Sequence, residues 1–179
     1  MNIDSAKADY IDYINSWRRG YIASDLRLHI LFFTGHKIIL NQRRRHIHGV
    51  NPNCRFCLKH DSPNPPPENY KHVFSDCPSV RPLVDMYFAP LRSELGRDNS
   101  FLFVGSHKCE LSEFLNIEIL IFSLYILNCL KGHARPSLGG LRNMMITHKK
   151  SMRANSIKYD FMATRADTKF SHTYTMYNS

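Results

Sequence analysis

The sequence predicts a mostly α-helical chain: a small helical domain with one irregular, cysteine-bearing loop and a long buried apolar helix. Three observations carry this expectation. Near the start, Tyr10, Ile14, Trp17 and Tyr21 recur at helical spacing. Between the cysteines stand Pro63, Pro65, Pro66 and Pro67, in a stretch that neither helix nor central strand accommodates. The run FLNIEILIFSLYILNCL (114–130) is almost continuously apolar.

Residues 5–19 are expected as the first helix, capped by Asp4 or Ser5 and broken at Gly20. A second helix is expected over 23–34, started by Ser24 and stopped by Gly35. HKIILNQRRRHIH (36–48) fits a short third helix with Ile38, Ile39 and Leu40 inward and Arg43, Arg44 and Arg45 toward solvent. Residues 1–50 thus read as an N-terminal helical basic segment, followed by a cysteine-bearing segment over 51–90. Helix resumes there at 71–89, within limits set by Pro78 and Pro82.

A helical region is expected over 91–162. FLFVG (101–105) reads as a short extended piece, and the apolar helix spans about 111–131 and ends at Gly132. After RPSLGG, a basic helix is expected over 138–161, with Leu141, Met145, Met152 and Ile157 only loosely periodic. Residues 163–179 are polar and read as a flexible tail. The apolar run is interrupted by Asn116, Glu118, Ser123 and Asn128. It falls short of the roughly 20 apolar residues that span a bilayer, and a carboxylate inside a membrane helix is costly. The expectation is a core helix and no membrane partner.

The chain has 179 residues, 43% of them hydrophobic, so a core is available and global disorder is excluded. Net charge is +9, distributed as +4 over 1–53, −2 over 54–130 and +7 over 131–179. Such an excess at the two ends favours a polyanionic partner. The opening MNIDSAKADY is polar and carries no secretory h-region. With five cysteines, an odd number, an intracellular location (cytoplasmic or nuclear) is expected, with thiols or metal-bound thiolates rather than disulfides.

Cys54-x2-Cys57-x14-His72-x4-Cys77 is the motif with chemical content. Zinc takes four soft or borderline ligands in a tetrahedron, and Cys-x2-Cys is a tight turn that aims two thiolates at one ion. A long intervening loop is tolerated because the metal closes it. Arg55 and Lys71 beside the ligands would favour thiolates. His60 is the rival fourth ligand, in a more cramped geometry, while Cys109 and Cys129 read as small core hydrophobes. Four protein ligands leave no open position, so a Zn2+ ion here is structural rather than catalytic.

The stretch CRFC…ENYKHVFSDCPSVRPLV resembles the zinc-binding C-terminal segment of non-LTR retrotransposon reverse transcriptases, with His72, Phe74, Cys77 and Pro78 matching its second half. FFTGHKIILNQRRRHIHG resembles the basic stretch leading into that segment, and FLFVG with ILIFSLYILNCLKGHARPSL resembles its downstream strand and helix. The likeness covers roughly 26–160. The chain departs from the pattern at Glu68, four rather than three positions before His72, and at Val84, where many members carry tryptophan. The resemblance implies an accessory module that grips template RNA or target DNA, with a reverse transcriptase or another protein as a further partner.

No Tyr/Phe-x-Asp-Asp polymerase tetrad, spaced nuclease acids, phosphate loop or nucleophile elbow is present, so no enzyme is expected. The leading expectation is a zinc-stabilised nucleic-acid-binding module. Its candidate phosphate contacts are Arg18, Arg19, Arg43, Arg44, Arg45, Lys149, Lys150, Arg153 and Lys158, with Tyr70 available to stack on a base. The alternative is a structural or assembly protein of a virus or mobile element that docks or oligomerises through its apolar helix.

Overall fold

A computed structural model of the chain describes residues 40–41, 46–59, 63–96, 98–99, 102, 111–155 and 157–170. Among them the architecture is mostly α-helical, with no strand. The helices expected at 5–19 and 23–34, and the extended piece at 101–105 apart from Leu102, lie outside the described residues. Where the third expected helix is described near its end, residues 46–49 form a turn instead. The Val50 N–H donates to the Ile47 carbonyl at 3.1 Å, and Gly49 takes φ +80°, a conformation that only glycine adopts at little cost.

Residues 52–54 and 66–68 pair briefly in antiparallel fashion. Cys54 N–H donates to the Pro66 carbonyl (2.8 Å), and Glu68 N–H donates to the Pro52 carbonyl (2.9 Å). Prolines serve here because only their carbonyls are used. Helix α1 (Arg55–Leu58) is a single turn. A π-helical turn covers His72–Asp76, closed by Cys77 N–H on the His72 carbonyl at 2.7 Å.

The helix expected across 71–89 is divided by Pro78. The residue before a proline is driven from helical to extended backbone, and Cys77 sits at φ −61°, ψ 126°. Helix α2 (Arg81–Phe88) starts afresh with Pro82 in its first turn, where the missing N–H costs nothing. A 3-10 turn (Ala89–Leu91) and the short α3 (Arg92–Leu95) follow, stopped by Gly96 at φ +87°.

Helix α4 (Ser112–Lys131) is the apolar helix the sequence predicts. Its segment Glu113–Lys131 is long and apolar enough to cross a membrane, yet 89% of its most apolar window is buried inside this chain. From Phe114 to Leu130 only Asn128 is exposed, as expected for a helix that is apolar all round. Phe122 meets Phe88 edge-on at 5.2 Å, and Phe88 meets Tyr87 at 4.9 Å, so α4 and α2 share an aromatic cluster.

Helices α5 (Leu138–Asn155) and α6 (Ile157–Lys169) pack on α4 and on each other. Ser137 caps α5: its hydroxyl accepts from Gly140 N–H at 3.1 Å. Two expectations change here. The basic helix expected over 138–161 is two helices, and the stretch 163–169, expected as the start of a tail, is the C-terminal half of α6. Its packing explains this, because Met162, Ala163, Ala166 and Phe170 are buried along one face.

Candidate metal centre

Three local structures deliver the four side chains. Cys54 precedes α1 and Cys57 lies within it, so one helical turn brings two sulfurs to the same side. His72 opens the π-helical turn, its N–H held by the Asn69 side-chain oxygen at 2.8 Å. Cys77 leaves that turn in extended backbone, and its carbonyl accepts from Val80 and Arg81, both at 2.8 Å. Cys54, Cys57 and Cys77 are buried, and His72 is 9% exposed.

The ligand atoms of all four lie within 4.8 Å of one another. Cys54 and Cys77 sulfurs are 4.0 Å apart, Cys57 and Cys77 sulfurs 3.8 Å, and Cys57 Sγ is 3.2 Å from His72 Nε2. A tetrahedron with metal–sulfur bonds of about 2.3 Å has sulfur–sulfur edges of about 3.8 Å. The sulfurs are far beyond the roughly 2.05 Å of a disulfide, and the described cysteines are all free thiols. The chemistry and spacing of this donor set suit a metal ion. His60 and Cys109 lie outside the described residues; Cys129 is buried in the core, where burial pushes its thiol pKa up.

Without an ion, three crowded thiols divide their protons unequally. A hydrogen bond from Cys77 holds the Cys54 thiol down at about 5. Cys77 is pushed up by serving as that donor, then by burial and by the adjacent Cys54 charge. Burial, with the Cys54 charge second, pushes Cys57 up.

Glu68 is the residue whose role the sequence conceals. Its side chain is fully buried and accepts four N–H groups: Asn41 N (2.9 Å) and Arg55 Nη2 (2.7 Å) on Oε1, Arg55 N and Nε (both 2.9 Å) on Oε2. Arg55 also reaches the Leu130 carbonyl at 3.1 Å. The carboxylate therefore ties the Leu40–Asn41 stretch, the neck of the loop and α1 together, while Arg55 ties them to the end of α4. The role expected of Arg55 and Lys71 beside the thiolates changes accordingly. Arg55 is committed to Glu68, and Lys71 is exposed and faces Asp76 at 4.0 Å.

The expected phosphate-contacting residues fare unevenly. Arg18, Arg19, Arg43, Arg44 and Arg45 lie outside the described residues. Lys149 turns inward to the fully buried Glu118 carboxylate at 3.2 Å, which also accepts from the Tyr87 hydroxyl. Lys150 is exposed, and Arg153 pairs with Asp160 at 3.9 Å. Lys158 belongs to α6, its side chain outside the described set. Tyr70 stacks on Phe74, with ring centroids 5.3 Å apart. Comparison of the chain with protein-family models, curated proteins and solved structures finds no match.

Proposed function

We propose that the chain is a zinc-stabilised nucleic-acid-binding module, of the accessory kind its cysteine segment resembles, without polymerase or nuclease chemistry. The observation that carries this reading is the closed Cys3His cluster, its ligand atoms within 4.8 Å. Zn2+ is the ion such donors favour, through the neutral imidazole of His72 and the thiolates of Cys54, Cys57 and Cys77. Four protein ligands fill a tetrahedral ion, so the metal's contribution is to fold the segment.

What remains to act is charge, with +9 on the whole chain. The contact set is narrower than the sequence suggested, because Lys149 serves the buried Glu118. Arg18, Arg19, Arg43, Arg44, Arg45, Lys150, Arg153 and Lys158 remain the candidates, and either RNA or DNA fits them. The assembly reading draws less support, because 89% of the most apolar window of α4, the helix expected to dock, is buried within the chain.

Binding measured by fluorescence anisotropy across a salt series tests the reading. Each phosphate contact contributes a slope of about −0.7 to −0.9 in log K against log salt. The variant Arg43→Ala/Arg44→Ala/Arg45→Ala is expected to flatten the slope by about two to three units at unchanged zinc content. Wild-type slope and affinity in that variant would remove the cluster as a contact surface.

A further inference from the structure

Beside the metal cluster, three stretches distant in sequence surround a cleft of about 350 Å³. It is lined by Phe56 and Lys59 from α1 and the residue after it, by Ser79 beyond Cys77, and by Arg135 from the link between α4 and α5. We infer that this cleft is a phosphate subsite for a nucleic-acid backbone. The inference rests on the nucleic-acid reading above and adds a defined place where the strand is held.

Charge is the first argument. The stretches 54–59, 77–80 and 132–136 contain no Asp or Glu, whereas Lys59 and Arg135 stand exposed at the rim. Donor chemistry is the second. Arg135 makes no hydrogen bond or ion pair among the described residues, so its guanidinium fork is open to a ligand. Lys59 donates to the His133 carbonyl, and an ammonium has three donors, so one bond leaves two. A guanidinium fork, an ammonium and the Ser79 hydroxyl together match the several oxygens of a phosphate better than the two of a carboxylate.

Position is the third argument. Phe56 adjoins Cys57, and Ser79 lies just past Cys77, so the metal segment itself forms one wall. The linker wall is fixed by the end of α4, where His133 takes φ +51° and Ala134 N–H returns to the Cys129 carbonyl at 2.9 Å. Phe56 is 3% exposed, which makes it a floor under the ligand rather than a platform for a base. Such a site holds backbone without reading sequence.

The test uses the full zinc-loaded chain, short oligothymidylate and oligouridylate as probes, and the variants Arg135→Ala and Arg135→Glu. Arg135→Ala is expected to weaken binding about tenfold and to lower the salt slope by about one, with Arg135→Glu weaker still. Zinc content and melting temperature stay at wild type in both, and pyrophosphate competes with the oligonucleotide on the wild type only. If Arg135→Glu binds both oligonucleotides like the wild type, the subsite is overturned while the nucleic-acid reading stands. If the wild type binds neither, that reading falls and takes the subsite with it. Vesicles containing phosphatidylserine form the last arm: Arg135-dependent binding to them, without oligonucleotide binding, assigns the cleft to a lipid headgroup and overturns the inference.

Discussion

Four N–H groups from Asn41 and Arg55 converge on one fully buried carboxylate, Glu68, while the four ligand side chains gather a few residues away along the same segments. A buried charge with that many donors is worth little as a net gain, but removing one partner leaves the other stranded. Glu68→Ala is therefore expected to cost about 3–5 kcal/mol in chemical denaturation, since Arg55 has side-chain exposure of only 18%. Cys129→Ser, away from the cluster, should cost far less, and equal losses would count against this assignment. The thiols give a second residue-scale test. Near neutral pH Cys54, held at about 5, is already ionised, whereas Cys57 and Cys77 sit raised and keep their protons. Metal uptake is thus expected to release about two protons, and affinity should fall as pH falls. Uptake without proton release, read with an indicator dye, would contradict it. The ligand set was legible because Cys-x2-Cys and His-x4-Cys are local spacings. Glu68 was not, because a lone acid in a proline-rich loop looks solvated, and its donors come from residues 41 and 55.

At the scale of elements, the end of α4 shows how tightly the fold is drawn. The Tyr125 hydroxyl donates to the Ser137 carbonyl (2.9 Å) and accepts from Ser137 N–H (2.8 Å), pinning the start of α5 to α4. A Cβ at Gly140 would lie 2.5 Å from that hydroxyl. Alanine ordinarily improves a helix by about 1 kcal/mol over glycine. Here the expected outcome is reversed: Gly140→Ala should lower stability by about 1–2 kcal/mol, because Tyr125 must leave its two partners. A higher melting temperature in that variant would refute the close approach. The same elements show where sequence reasoning stopped. Continuous apolarity announced α4, and Pro78 announced a boundary, but the second half of α6 is held by Ala163 and Ala166 between Met162 and Phe170, a stripe whose two middle members are too small to stand out among polar neighbours. The helix expected to end in a tail instead closes over the core.

For the whole molecule, the helical core built on α4 takes in the cysteine-bearing segment as well, since Phe56, Val73, Phe74 and Val80 are buried in it, while the proline-rich loop between the ligand pairs has little of its own to bury. That burial, the Glu68 network and the brief pairing at its neck order the segment, and a metal held by the four side chains would add to them. Structural zinc supplies on the order of 10–16 kcal/mol to small domains that depend on it, comparable to the whole of the typical 5–15 kcal/mol of net stability. The most direct test is native mass spectrometry of the purified chain, with thermal unfolding followed before and after a strong chelator, alongside Cys57→Ser. The expected result is one zinc per chain, released by chelator together with a large fall in melting temperature, and absent from the Cys57→Ser protein. A wild-type chain carrying well under one equivalent of metal, or melting unchanged after chelation, would contradict the claim that this cluster is a structural zinc centre.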